Sequence, residues 1–267
     1  MNDTSTVTNP ILIRSCSGLE ELAACVDLQI EVWGYSGGDV IPRREFIVIQ
    51  KIGGQVFGAF DTSIPGSAPE GEARNLIGFA MALPGIRNSK GYLHSHMLAV
   101  RAPYRNRGIG QRLKLSQRAD ALSRKIVLME WTFDPLEIKN AHLNIRRLGA
   151  IVRRYTPDFY GVSSSQLQAG MPTDRLHAEW WMDSSRVWRA LSGNLPTTEV
   201  VETILIPAAI GEWKQAKDLT QALAAQREVR EQFQHAFERG LAVMDFEKDA
   251  EGNGVFQLGI AGEDAFC

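Results

Sequence analysis

His94 and His96, two histidines separated by a single residue, are the side chains in this sequence best suited to proton transfer. An imidazole titrates near neutral pH, so it can take a proton from an amine under physiological conditions. Side chains alternate between the two faces of a strand, so both histidines should share a face with Leu98 and Val100. The pattern indicates a pair of general bases. A pair of histidines that only hydrogen-bond within a sheet face is the alternative interpretation.

A basic loop with two glycines follows the histidines and precedes a predicted helix. The unpaired N–H groups and the dipole at the start of a helix attract anions. Gly108 and Gly110 would let a diphosphate approach the backbone without meeting a Cβ atom, and Arg105 and Arg107 add positive charge. The loop therefore predicts a pyrophosphate cradle. An exposed basic turn that caps a surface helix explains the same residues equally well.

The elements that position these residues follow from the apolar pattern and from the turn residues. In chain order we predict a strand over 11–15, helices over 17–32 and 42–51, strands over 55–60, 75–83 and 92–100, a helix over 109–124, a strand over 126–133, a helix over 136–148, and strands over 150–154 and 175–183. Pro84-Gly85 is expected to end the 75–83 strand. This order predicts an α/β fold with a mixed sheet (α+β).

The last hundred residues are predicted to form an appendage. We expect a strand over 199–206, a long helix over 210–239, and two short strands over 242–246 and 254–258. This gives a first domain over 1–165 and a C-terminal extension, or small α+β subdomain, over 166–267.

The string Arg105-Asn106-Arg107-Gly108-Ile109-Gly110 resembles the Arg/Gln-x-x-Gly-x-Gly/Ala signature of the GNAT superfamily of N-acetyltransferases. Leu98-Ala99-Val100 resembles the end of that superfamily's fourth strand, and the element order matches over about 11–160. The resemblance implies the GNAT fold, with acetyl-CoA or another acyl-CoA as co-substrate. It places the pyrophosphate on the amides of 105–110 and the pantetheine along Leu98 and Val100. Asn140 falls near a cofactor-contacting asparagine of the family, although an exposed helix explains it too.

The strand from His94 to Val100 also resembles the His-x-His-x-Leu-Ala-Val strand of arylalkylamine N-acetyltransferases, where the paired histidines serve deprotonation of the amine. The same role is therefore implied for His94 and His96. The implied reaction is direct transfer of an acetyl or short acyl group to a primary amine of a small molecule. Leu98 is implied to donate its backbone N–H to the oxyanion.

One departure from the family concerns the acid that protonates the leaving thiolate. Many members have a tyrosine four residues before the glycine that ends the late helix, where this sequence has Ile145. Tyr155 and Tyr160 are the candidates to replace it if the chain folds back. Glu130 could be a second polar group in the cleft, but we interpret it as an ordinary paired carboxylate. Asp39, Arg43, Arg44 and Glu45 fall where the family usually binds the acceptor, but a solvated surface explains them as well.

Composition excludes several other classes of function. The chain has 267 residues and a formal net charge of −2, which argues against a nucleic-acid-binding surface. No apolar run is long enough for a membrane span, and the start is no secretory signal, so we expect a cytoplasmic protein. Three scattered cysteines, Cys16, Cys25 and Cys267, suggest neither disulfides nor a metal site. A non-catalytic acyl-CoA-binding regulatory module remains the main alternative, a partner-binding protein the weaker one, and the oligomeric state is open.

Overall fold

The computed structural model describes residues 10–195, 199–216 and 218–266, so Cys267 lies outside the described part. The mixed α/β fold class is confirmed. The strands are β1 (Ile11–Ser15), β2 (Gln55–Asp61), β3 (Leu76–Arg87), β4 (Lys90–Val100), β5 (Leu128–Phe133), β6 (Ile151–Thr156), β7 (Arg175–Trp181), β8 (Glu202–Ile206), β9 (Ala242–Lys248) and β10 (Gly254–Gly259). The helices are α1 (Gly18–Trp33), α2 (Arg43–Lys51), α3 (Ile109–Ser123), α4 (Ile138–Ala141), α5 (Ser185–Leu191), α6 (Ile210–Gln215) and α7 (Thr220–Glu238).

The described residues form two compact units. The first unit holds 10–84 and 96–120, and the second holds 85–95 and 121–266. Strands β3 and β4 therefore contribute residues to both. Among the described residues, no helix has the length and apolar character needed to cross a bilayer.

In the first unit, β1, β2 and β3 pair antiparallel, and the end of β4 lies beside β3. The Arg101 amide donates to the Ile77 carbonyl at 2.8 Å, and a Cβ at Gly78 would stand 2.8 Å from the Ala99 carbonyl oxygen. Helices α1 and α2 cover the Met97 and Ala99 side of β4. Helix α3 packs through buried apolar side chains on the opposite side. Strand β4 is thereby fixed from both sides.

In the second unit the sheet has the strand order β4-β5-β7-β6-β9-β10-β8. Only β4 and β5 run parallel; the other neighbours are antiparallel. The C-terminal strands extend this sheet, because Val243 of β9 pairs with Val152 of β6. Helix α7 packs on it through Phe233, whose ring lies 5.8 Å from Tyr155 and 5.2 Å from Phe256, centroid to centroid.

The predicted end of the 75–83 strand is wrong, for an identifiable reason. Strand β3 does not end at Pro84-Gly85 but continues to Arg87, because a proline fits extended backbone and removes only one donor. The turn falls instead on Asn88 and Ser89, whose φ angles of 49° and 61° suit a two-residue hairpin turn.

The predicted long helix over 210–239 is two helices, α6 and α7. Asp218 Oδ1 accepts hydrogen bonds from the Thr220 amide at 2.9 Å and from its hydroxyl at 2.5 Å. Such local side-chain bonds compete with the helical ladder and favour a new helix start.

The predicted late helix is also irregular, and one helix was missed. Helix α4 spans only four residues and continues as a π-helical segment, His142–Arg147, before Gly149 ends it with φ of 77°. Helix α5 has no counterpart in the prediction. Its start is capped by the Ser184 hydroxyl, which accepts from the Val187 amide at 3.3 Å.

Candidate functional site

Strand β4 alternates strictly between a buried and a more accessible face. Leu93, Ser95, Met97 and Ala99 are each at most 5% exposed. His94, His96, Leu98 and Val100 alternate with them and are all more accessible. Leu98 and Val100 pack against the cluster that contains Ile109 and Leu113 of α3. The two histidines therefore share one face of the strand with Leu98 and Val100, the residues that lead into the basic loop.

The basic loop, residues 101–108, delivers the chain into the first turn of α3. Arg105, Asn106, Arg107 and Gly108 are all exposed. The Arg112 amide donates to the Gly108 carbonyl at 3.0 Å, which makes Gly108 the residue at which helical hydrogen bonding begins. The amides that follow Gly108 have no partner within the helix, as at any helix start.

The backbone of Gly108 suits the approach of an anion. Its φ is +73°, in the left-handed region that favours glycine, and no described heavy atom lies within 4 Å of where a Cβ would stand. Ile109, the next residue, is 2% exposed and anchors the helix start in the core. The loop thus combines a fixed helix terminus with open space above it, as a diphosphate requires.

Side-chain bonds hold the loop to its surroundings. Arg105 Nε donates to the Val100 carbonyl at 3.0 Å, and the Arg107 guanidinium lies 5.3 Å from the centroid of the Tyr104 ring. The Tyr104 hydroxyl donates to Asp61 Oδ2 at 2.7 Å. Burial opposes ionisation of Asp61, but hydrogen bonds from Ser63 and Tyr104 outweigh it and lower the pKa of that carboxyl. The loop therefore rests on a charged Asp61 at the end of β2.

A cluster of three ionisable side chains, Glu130, Arg87 and Arg154, lies next to the register position of His94 in the second unit. Glu130 of β5 is the register partner of His94 in the parallel pair, and it is only 6% exposed. Arg87 donates to Glu130, and Arg154 stands 3.8 Å from its other carboxylate oxygen. Burial raises the pKa of Glu130 against the pull of these two arginines. Glu130 is thus a paired carboxylate, as expected, and it also occupies the register position next to His94.

The next strand, β7, adds two more buried ionisable residues to this face. Glu179 is the register partner of Glu130 and pairs with Arg153 at 2.6 Å. His177 Nε2 and the Thr156 hydroxyl lie 2.8 Å apart. Burial, and then the charges of Arg154 and His94, lower the pKa of His177 to about 4. His177 is therefore neutral at physiological pH.

His96 also has a lowered pKa. Part of its side chain reaches solvent, but the protein around its ring desolvates the imidazole, and this burial favours the neutral form. A neutral imidazole is the form that accepts a proton.

The two tyrosines considered as acids have different surroundings. The Tyr155 hydroxyl donates to the fully buried Asp174 at 2.5 Å, and Arg230 binds the same carboxylate at 2.8 Å. Burial, reinforced by Asp174, raises the pKa of Tyr155 far above its ordinary value. We therefore interpret the Tyr155 hydroxyl as a structural hydrogen-bond donor. Tyr160 is 44% exposed, and its hydroxyl lies 2.9 Å from the Thr132 hydroxyl on β5. Ile145 is fully buried in the π-helical segment and offers no acid.

Asn140, Arg43 and Arg44 lie outside strand β4 and the basic loop. Asn140 is exposed in α4, in the second unit, and its amide donates to the Glu137 carbonyl at 2.9 Å. Arg43 and Arg44 line a groove of about 720 Å³ beside α1, together with Asp27. Within the described residues, no group of three or more metal-binding side chains occurs.

Residues that sequence reasoning missed are Arg87, Arg154, His177 and Glu179. The only signal for them was Glu130, a charged residue inside the otherwise apolar strand Leu128–Phe133. Its partners come from three other strands, so no local spacing reveals them.

The strand order, the parallel β4–β5 pair and the loop that opens α3 define the class: the chain has the fold of the GNAT acetyltransferases. The crystal structure of Arabidopsis thaliana NAA60 in complex with acetyl-CoA is similar to it with a TM-score of 0.51 and 16% sequence identity, over 64% of this chain and 98% of that one. The structure of the same plant protein in complex with a bisubstrate analogue gives a TM-score of 0.50 and 16% identity, over 64% and 97%. No family model matches the chain, and no curated protein matches it in sequence.

Proposed function

We propose that this chain transfers an acetyl or other short acyl group from acyl-CoA to a primary amine of a small molecule. The observation that carries the proposal is the helix start at Gly108, which offers open space and free amides directly after the strand that bears His94 and His96. The fold is one in which NAA60 is found with acetyl-CoA, which supports the same co-substrate here.

On the cofactor side, we assign the diphosphate of CoA to the backbone of 105–110. The Arg105 amide already donates to the Ala102 carbonyl at 3.2 Å, so the amides that follow Gly108 are the main donors. Arg105 and Arg107 contribute positive charge, while Gly108 keeps the approach open. The pantetheine arm pairs with the backbone of Leu98 and Val100, which follow the β4 residues that pair with β5, and Ala99 is held in the core between them. Asn140 is a further candidate contact to the cofactor.

On the amine side, His94 and His96 act as bases. The pKa of a lysine-like ammonium is near 10, so it must lose a proton before its nitrogen can attack. A neutral imidazole accepts that proton, and the lowered pKa of His96 keeps it neutral near pH 7. The amine nitrogen then bonds to the thioester carbonyl carbon while the Leu98 N–H stabilises the oxyanion.

Collapse of that intermediate breaks the carbon–sulfur bond and releases the CoA thiolate, which takes a proton. Tyr160 is our candidate donor rather than Tyr155, because the Tyr155 hydroxyl is committed to the buried Asp174. A thiolate is also a tolerable leaving group without an acid, so loss of Tyr160 should slow the reaction rather than abolish it.

The proposal is tested by measuring thiol release from acetyl-CoA with a panel of small primary amines and, in parallel, with short peptides that have a free N-terminus. Transfer to small amines supports the proposal in full, whereas transfer to peptides alone would keep the chemistry and change the acceptor. Calorimetry on the same preparation measures acetyl-CoA binding. Binding of acetyl-CoA without thiol release in the presence of any tested amine or peptide would identify a non-catalytic acyl-CoA-binding module instead. The full chain should be used, because β9 pairs with β6 and the division near residue 165 remains a prediction.

A further inference from the structure

We propose that Glu130, held between Arg87 and Arg154, is a positioning residue that sets the protonation of His94. The inference rests on the proposed function for its kinetic consequence, but the coupling between the two side chains can be measured without turnover.

His94 and Glu130 lie side by side on adjacent strands. His94 and Glu130 are register partners in the parallel β4–β5 pair, so they project from the same face of adjacent strands. Neighbouring strands lie about 5 Å apart. At that backbone separation their charges can act on each other, and the 6% exposure of Glu130 limits the screening of this interaction by water.

Two arginines oppose the effect of burial, which raises the pKa of Glu130. Arg87 binds one carboxylate oxygen, and Arg154 approaches the other at 3.8 Å. Both guanidinium groups reach solvent, with side-chain exposures of 38% and 49%, whereas the carboxylate does not. The two cationic partners favour the charged form of this carboxylate, and a charged Glu130 favours the protonated form of a histidine beside it.

The protonation of His94 depends on all the charged groups around it. The charged and titratable groups on this face are Glu130 on β5, Arg87 at the end of β3, Arg153 and Arg154 on β6, His177 and Glu179 on β7, and Tyr92 and His96 on its own strand. Without Glu130, Arg87 and Arg154 would leave uncompensated positive charge beside His94. The imidazole would then hold a proton less readily and would be a weaker base. Glu130 thus offsets the two arginines.

The test is the histidine titration of the full chain by NMR, with signals assigned through single histidine substitutions among the five histidines. In Glu130→Gln, which preserves shape and removes charge, the pKa of His94 should fall by about one unit. In Arg154→Gln it should rise, because positive charge is removed. The opposite signs distinguish an electrostatic role from loss of structure, which would move both variants the same way.

A matched control is Arg239→Gln, which removes another partly exposed arginine from an ion pair, with Glu202 at 2.6 Å. It should leave the His94 titration unchanged. If Glu130→Gln does not fold, Arg154→Gln alone decides the sign. An unchanged His94 pKa in a folded Glu130 or Arg154 variant would overturn the inference.

Kinetics separate this inference from the proposed function. With an active amine, the acidic limb of kcat/KM should move to lower pH in Glu130→Gln and to higher pH in Arg154→Gln. Shifts in the NMR titration without turnover on any amine would refute the function and keep the coupling. Turnover in variants whose His94 titration and pH profile are unchanged would keep the proposed function and refute the coupling between Glu130 and His94.

Discussion

Replacing Gly108 by valine should weaken acyl-CoA binding in addition to a modest loss of fold stability. The φ of +73° places Gly108 in the left-handed region, where a side chain costs roughly 1–2 kcal/mol. The same side chain would project into the open space that we assign to the diphosphate. Losing one charge-assisted hydrogen bond there costs about 1.5–3 kcal/mol. The Kd for CoA should therefore rise roughly 10- to 150-fold.

Gly240→Val is the matched control for this experiment. Gly240 has a φ of +79°, and a Cβ there also meets no atom within 4 Å, but it follows α7 and has no place in the proposed site. Both variants should lose similar free energy of unfolding, measured by urea denaturation. Calorimetry with CoA should separate them, with weakened binding only in Gly108→Val. Equal CoA affinity in the two variants would remove the loop from the site.

Three further changes test other parts of the account. His94→Ala combined with His96→Ala should lower kcat by about 10²- to 10⁴-fold while the Kd for CoA stays nearly constant; equal loss of both would indicate a structural role. Because the pKa of His177 is about 4 in the folded chain and near 6.5 when unfolded, the unfolded chain binds the extra proton first. Stability should therefore fall by about 3 kcal/mol as pH drops from 6.5 to 4, and His177→Gln should flatten that part of a urea-unfolding series. Tyr155→Phe should lower stability without a specific effect on catalysis, whereas Tyr160→Phe should lower kcat in a well-folded protein; the reverse pattern would exchange their roles.

The sequence predicted best where the signal is local. The bounds of β1 were predicted correctly, and the strand, loop and helix around Gly108 were recovered because glycine, arginine and apolar periodicity act within a few residues. The face that His94 and His96 share follows from strand geometry alone.

Features that depend on distant partners were not predictable in the same way. Arg87 and Arg154 meet Glu130 only because the sheet brings three strands together, and the sequence separations carry no trace of this. The choice between Tyr155 and Tyr160 also required the contact with Asp174. The break at Asp218 was missed because its two hydrogen bonds from Thr220 outweighed helical periodicity on both sides.

The most direct test of the central claim is a crystal structure of the full chain with acetyl-CoA. The diphosphate should bind the amides that follow Arg107, in the open space where a Cβ of Gly108 would stand, and the pantetheine should lie along Leu98 and Val100. Acetyl-CoA bound at another surface, or a loop left empty at saturating ligand, would contradict it.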